Sequence, residues 1–304
     1  MKVRCRLASA GALFLPLLLS GCSLFPTTRK LPIPKAPLIT QTATPEELVT
    51  RVNQRWASLD TLTATVEIQA SVMKTKEGVA KDYTTLRGHI LMRKPEMLRV
   101  VGTLLGVKAF DMASDGKDFT LSVPLKGKAF KGSNSLKRKS ANALENMRPG
   151  FFFDAMVVRG LEPDDLYSVV ADSETIEDTA RKHLYTVPEY VLSISRRKGD
   201  SRQLTPVRVV TFRRDDLLPY QQDLYDDEGN LETQVDYANY RDFEGSKYPS
   251  TIIIKRPLEE YQIVLTVEDV KENQNPTLTD DQFVVKVPEG TETQKLEQGP
   301  GTRG

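Results

Sequence analysis

Few residues in this 304-residue chain have the types and spacing that support covalent chemistry. Both cysteines, Cys5 and Cys22, fall in the first 22 residues. No thiolate of the body can therefore act as nucleophile or metal ligand, and no disulfide can staple it. The two histidines, His89 and His183, are too few for a His-rich metal site and for most Ser-His or Cys-His catalysis. His89 falls on the polar face of a predicted strand and His183 in Arg181-Lys182-His183, so both read as solvated. Asp164-Asp165, Asp215-Asp216 and Asp280-Asp281 resemble acid/base pairs only on paper, because adjacent side chains point apart on a strand. Asp226-Asp227-Glu228-Gly229-Asn230 gathers acids without the length or spacing of a calcium loop and reads as a hairpin turn. No Gly-rich phosphate loop, nucleophile elbow or zinc spacing occurs. Lys plus Arg total 42 against 41 Asp plus Glu, so nothing points to a nucleic-acid partner. The sequence predicts no enzyme and no metal site.

Cys22 is the exception. Lys2, Arg4 and Arg6 precede an apolar run over residues 7–19, the n- and h-regions of a secretory signal. The run is shorter than the roughly 20 apolar residues of a membrane span, and Pro16 interrupts it. Leu19-Ser20-Gly21-Cys22 then resembles the bacterial lipobox. That resemblance implies removal of residues 1–21 and acylation of Cys22, palmitate being the type of chain expected. The only cofactor expected is this covalent lipid. Ser23 rather than Asp after the cysteine implies the periplasmic face of the outer membrane. Each buried methylene is worth about 0.8 kcal/mol, so two or three acyl chains hold firmly where one does not. From Cys22 to residue 43 the chain carries Pro26, Pro32, Pro34 and Pro37 and no periodicity, a stiff tether. Residues 289–304, rich in Gly, Thr, Glu and Gln, read as a disordered tail.

The elements between are legible from pattern. Thr44 can cap a helix with Pro45 at its first position and Glu47 completing a capping box. Leu48, Val52, Trp56 and Leu59 follow as one apolar stripe. Leu62, Ala64, Val66, Ile68, Ala70 and Val72 alternate with polar residues, a strand with one wet face. Leu86, Ile90 and Met92 repeat the pattern, and short strands continue to Val123. Residues 141–158 predict a helical pair kinked at Pro149, carrying Phe151, Phe152, Phe153, Met156 and Val157. Three consecutive aromatics cannot share one helix face, so at least one should be exposed or touch a partner. Strands resume at 166–170, 190–196, 207–212, 219–225, 231–240, 250–255 and 261–270, and residues 283–287 close the series. Short turns between strands make the sheet antiparallel. The reading is α+β, a single domain over residues 44–288 with about eleven strands.

Helix, strands, central helices, strands: this order resembles the lipoprotein-localisation fold of the LolA/LolB family. Met97 to Gly106 is similar to the receptor branch, in which a strand runs into a projecting Pro-Leu-Gly loop; here Leu104 stands at the proline position. Asp115-Gly116, the hairpin at Glu228-Gly229-Asn230, Tyr248-Pro249-Ser250 and residues 280–290 fit the rest. The resemblance implies a strongly curved antiparallel sheet, an incomplete barrel, with a helical lid over an apolar cavity. It further implies a non-enzymatic outer-membrane lipoprotein that binds acyl chains, lipid or lipoprotein cargo, with a periplasmic carrier protein as partner. Leu104, Leu105 and Gly106 are then either an exposed tip touching cargo or membrane, or a strand end in the core. Val66, Ile68, Ile90, Met92, Phe110, Phe119, Leu121, Tyr237, Ile263 and Leu265 are candidates to line the cavity, the alternative being a solid core. Phe151, Phe152, Phe153 and Met156 are candidates for the lid, or for a buried helix. With a solid core the function becomes that of a scaffold or adaptor lipoprotein in an envelope assembly.

Overall fold

The computed structural model describes residues 40–74, 78–135, 148–178, 183–274 and 278–296. Cys22, the signal, the tether to residue 39, the 141–147 half of the expected helical pair, the His183 side chain and the tail beyond residue 296 lie outside the described residues.

Helix α1 (Pro45–Ser58) starts where its capping residues demand. Thr44 Oγ1 accepts from the Glu47 amide at 3.2 Å, and Glu47 Oε2 accepts from the Thr44 amide at 2.7 Å. Seven strands follow: β1 (Thr61–Lys74), β2 (Val79–Asp82), β3 (Leu86–Arg93), β4 (Met97–Leu104), β5 (Val107–Ser114), β6 (Asp118–Val123) and β7 (Lys128–Ser133). Then come helix α2 (Pro149–Met156) and strands β8 (Leu166–Asp178), β9 (His183–Arg197), β10 (Leu204–Arg213), β11 (Pro219–Tyr225), β12 (Leu231–Phe243), β13 (Ser246–Arg256), β14 (Tyr261–Glu272) and β15 (Glu292–Lys295).

The strands make one open, curled sheet in the order β15-β7-β6-β5-β4-β3-β1-β14-β13-β12-β11-β10-β9-β8, with β2 paired to β1. From β1 the chain steps outward through antiparallel neighbours to β7. It crosses by way of α2 to the far edge at β8 and returns strand by strand until β14 closes against β1. The curl fits an incomplete barrel, but with fifteen strands among the described residues rather than about eleven. The additions are weakly patterned: β2 is exposed throughout, and β7 buries only Ala129 and Phe130. The excess length after Pro163 becomes a long hairpin, β8 pairing with β9 from Leu166–Ser195 to Asp178–His183.

Three further expectations are corrected. Pro149 opens α2 instead of kinking a longer helix, since proline suits a first turn where no amide is needed. Residues 283–287 are not a closing strand. Asp280–Phe283 is a 3-10 turn laid on the outer face of β4, where Arg99 Nη1 donates to the Gln282 carbonyl at 2.9 Å and the Arg93 guanidinium covers the Phe283 ring. Within the stretch read as a disordered tail, Glu292–Lys295 pairs in parallel with β7.

Both helices lie on the same face of the sheet. Val210 faces Gln222 across β10–β11, and Gln222 faces Val235 across β11–β12, so the three share a side. Val210 packs with Leu48 and Val52 of α1, while Val235 packs with the phenylalanines of α2. One inner face thus carries two adjoining apolar clusters, with Val158 touching both.

Candidate functional site: a groove and a cleft beside the second helix

All ten cavity-lining candidates, from Val66 to Leu265, are buried. All but Phe119 belong to the cluster that contains α2, and Tyr237 alone among them borders one of the two hollows described below. Their neighbours fill the space. Gly88 and Gly102 face each other across β3–β4, between Val66 and Phe110. A Cβ on Gly102 would lie 2.3 Å from the Phe110 ring, and one on Gly88 2.5 Å from Ile68 Cδ1. The two glycines are the floor on which Phe110 and Ile68 rest, so this part of the interior is packed side chain, not hollow.

Helix α2 completes the packing. Phe151, Phe152, Phe153 and Met156 are all buried, against the expectation that at least one aromatic would be exposed or touch a partner. The reason is that α2 is apolar but for Asp154, which faces the polar side, and is embedded within the curl. Phe151 stacks on Phe152 with centroids 4.5 Å apart and tilts toward Tyr261, while Phe153 meets Trp56 of α1 edge-on at 6.2 Å. Its C-terminal carbonyls, which have no partner within the helix, are met by the sheet. The Gln222 amide donates to the Asp154 carbonyl at 2.8 Å and the Tyr248 hydroxyl to the Met156 carbonyl at 2.6 Å.

Two hollows border α2 and the segment leaving it. The first is an apolar groove of about 470 Å³ between α1, the end of α2 and β10–β13. Trp56, Leu59, Met156, Val157, Val158, Phe212, Leu217 and Tyr237 form its walls, with Arg51, Arg55 and Lys247 also lining it. Burial pushes the hydroxyls of Tyr237, Tyr240 and Tyr248 up, so they stay protonated and act as donors. This volume lies within the roughly 300–1,000 Å³ of typical small-molecule sites. The second is a polar cleft of about 750 Å³ on the side of α2 that bears Gly150, Phe151 and Asp154. Arg148, Arg159, Arg196, Arg208 and Arg256 line it together with carboxylates.

The hairpin candidate stands apart. Leu104 pairs with Val107, leaving Leu105 and Gly106 as a two-residue turn with φ of +50° and +81°. Positive φ at both positions matches the turn that favours Asn-Gly. Leu105 adopts it nonetheless and is 97% exposed, with Gly106 exposed and Leu104 half-buried. A leucine there loses about 1–2 kcal/mol in backbone conformation.

The acid-rich turn behaves as a turn: Asp226 Oδ1 accepts from the amides of Glu228 and Asn230 at 3.0 and 2.8 Å. His89 lies on the outer face of β3, with Nδ1 3.5 Å from Thr65 Oγ1. The groove and the cleft were missed in the sequence. Trp56 shows only as part of a helical stripe, and Arg208 is hidden in Val207-Arg208-Val209-Val210, where either phase of alternation is apolar.

No protein-family model matches the chain, and no curated protein matches it. Solved structures do. A LolA superfamily protein from Nitrosomonas europaea is similar at 17% identity over 80% of this chain and 99% of its own, with a TM-score of 0.47. A DUF1329 family protein from Desulfovibrio piger is similar at 18% identity over 78% and 94%, with a TM-score of 0.50. At such identities the likeness is one of architecture alone, the open curled sheet shared with the Desulfovibrio piger protein.

Proposed function

We propose that this is a non-enzymatic envelope protein, moored to the outer membrane through acylated Cys22, that binds an acyl chain of a lipid or lipoprotein in the groove beside α2. The observation that carries the reading is that groove, about 470 Å³ walled by Trp56, Met156, Val157, Phe212 and Leu217. An acyl chain leaving water for such walls gains about 25 cal/mol for each Å² of apolar surface covered, and no covalent step is needed. Transfer follows differential burial. Leu105, held in water at the hairpin tip, is the contact with membrane or cargo, delivered by a periplasmic carrier protein.

The packed interior under Phe151, Phe152 and Phe153 favours a second reading, a moored adaptor with no ligand. Native mass spectrometry of the full protein extracted from its own membrane separates the two. The first reading expects acylated Cys22 plus a further, non-covalent lipid. Acylated protein without any further lipid overturns it and leaves the adaptor.

A further inference from the structure

The polar cleft holds a charge with no ion-pair partner among the described residues. Of the arginines that line it, Arg159 binds Glu96 and Asp154, Arg196 binds Asp165, and Arg256 binds Glu232 and Glu259. Arg208 has no ion pair among the described residues, although it is only 5% exposed. Its one hydrogen bond among the described residues runs from Nη2 to the Gly160 carbonyl at 3.2 Å, and its Nε–H is buried with no acceptor among them. A guanidinium has five N–H donors, so most of its bonding capacity is unused. The carboxylates whose field reaches it, Asp154 and Asp165, are the ones bonded to Arg159 and Arg196. Burial accordingly depresses the Arg208 guanidinium below the usual arginine range.

The position is set by the fold. Arg208 is in phase with Val210 and Phe212, whose side chains face the core, so β10 aims it at the inner face. At the same height the chain leaving α2 is clamped: a Cβ on Gly160 would stand 2.8 Å from Trp56 Cδ1, and the Leu161 amide donates to Asn53 Oδ1 at 2.8 Å. The carbonyl partner of Arg208 is thus held in place by α1. The remaining acids of the cleft, Glu162 and Asp164, are exposed on its rim.

We infer that the cleft is an oxyanion site: Arg208 binds, through its planar fork, the phosphate of a ligand whose remainder occupies part of the 750 Å³. A bare ion leaves most of that volume empty, so the ligand is a phosphate ester. Its source is either a soluble metabolite or the headgroup of an anionic phospholipid. The site is independent of what occupies the apolar groove.

Thermal unfolding of the full chain tests this with three probes: inorganic phosphate, glycerol 3-phosphate, and dihexanoyl phosphatidylglycerol below its micelle concentration. Wild-type protein should gain several degrees in Tm, saturably, with at least one phosphate ester. A response to glycerol 3-phosphate assigns a soluble ligand, and a response to the lipid alone assigns a headgroup. Arg208→Met removes the charge at similar volume and should abolish the response without lowering the Tm of free protein. Arg208→Lys keeps the charge without the fork and should retain a weakened response. The inference is overturned if no probe shifts the wild-type Tm, or if Arg208→Met responds as the wild type does.

Discussion

Leu105 sits where two unfavourable terms coincide. Its backbone is in the left-handed region, at a cost of about 1–2 kcal/mol, and its side chain forgoes the about 1.5–3 kcal/mol that burial would return. Asparagine tolerates that conformation, so Leu105→Asn should leave thermal stability unchanged or raise it. The same change should weaken sedimentation with phosphatidylethanolamine/phosphatidylglycerol vesicles about tenfold or more. The comparison is made on Cys22→Ser protein, so that acyl chains do not mask the tip. Equal vesicle binding by both proteins removes the tip from the account. Asp111 poses the opposite case. Its carboxylate is buried on the outer face of β5, where Arg99 donates twice, at 3.0 and 2.9 Å, and Lys108 once, at 2.7 Å. Burial alone would raise its pKa, but these partners outweigh burial and hold it below the usual carboxylate range. The folded state therefore binds the proton less readily than the unfolded chain. The stability this contributes is complete above about pH 4, the unfolded value, and is lost as pH falls through the lowered native value. Asp111→Asn should cost on the order of 2–3 kcal/mol at pH 7, less than a fully buried pair because Arg99 and Lys108 keep some water. It should also flatten the acid limb of the stability–pH curve, which chemical denaturation at pH 3–7 measures.

At the scale of elements, α2 borders the groove of the proposed function and is held in place by its neighbours. It is fixed at its C-terminal end by Gln222 and Tyr248 and at its sides by Trp56 and Tyr261. Tyr248→Phe leaves the Met156 carbonyl unpaired, a loss of about 1–3 kcal/mol. Amide exchange of α2 should accelerate accordingly while β1, β3 and β14 stay protected; uniform acceleration would mean that α2 opens only with global unfolding. The sequence spoke clearly where chemistry is local. The capping box at Thr44 and Glu47 and the alternation from Leu62 to Ile68 fix α1 and β1 without outside help. It spoke poorly where an element's partner decides its state. β7 and β15 gain their place from strand pairing at an edge, not from their own pattern. Residues 151–153 indicate an apolar helix, but whether one or all of its faces are covered depends on a sheet that curls around it. Arg208 is invisible for a related reason: β10 has apolar residues in both phases, so only the register with β9 and β11 tells which phase turns inward.

Across the whole molecule, antiparallel order places the end of β1, the start of β2 and the β4–β5 and β6–β7 turns at one end of the sheet. Exposed Met73, Val79, Leu105, Val107 and Leu125 gather on that end, with Lys126 and Lys128 beside Leu125. Such a rim suits a lipid surface. If it acts as one, Leu125→Asn added to Leu105→Asn should lower vesicle binding further than either change alone, whereas no added effect would confine contact to the β4–β5 tip. The central claim, that the groove beside α2 receives an acyl chain, has a built-in reporter. Trp56 is the only tryptophan in the chain and forms a wall of that groove. Titrating the full protein with a fatty acid brominated along its chain should quench tryptophan emission saturably at one equivalent, with unbrominated fatty acid competing the signal away. Undiminished Trp56 emission in folded protein at saturating brominated chain would contradict the account.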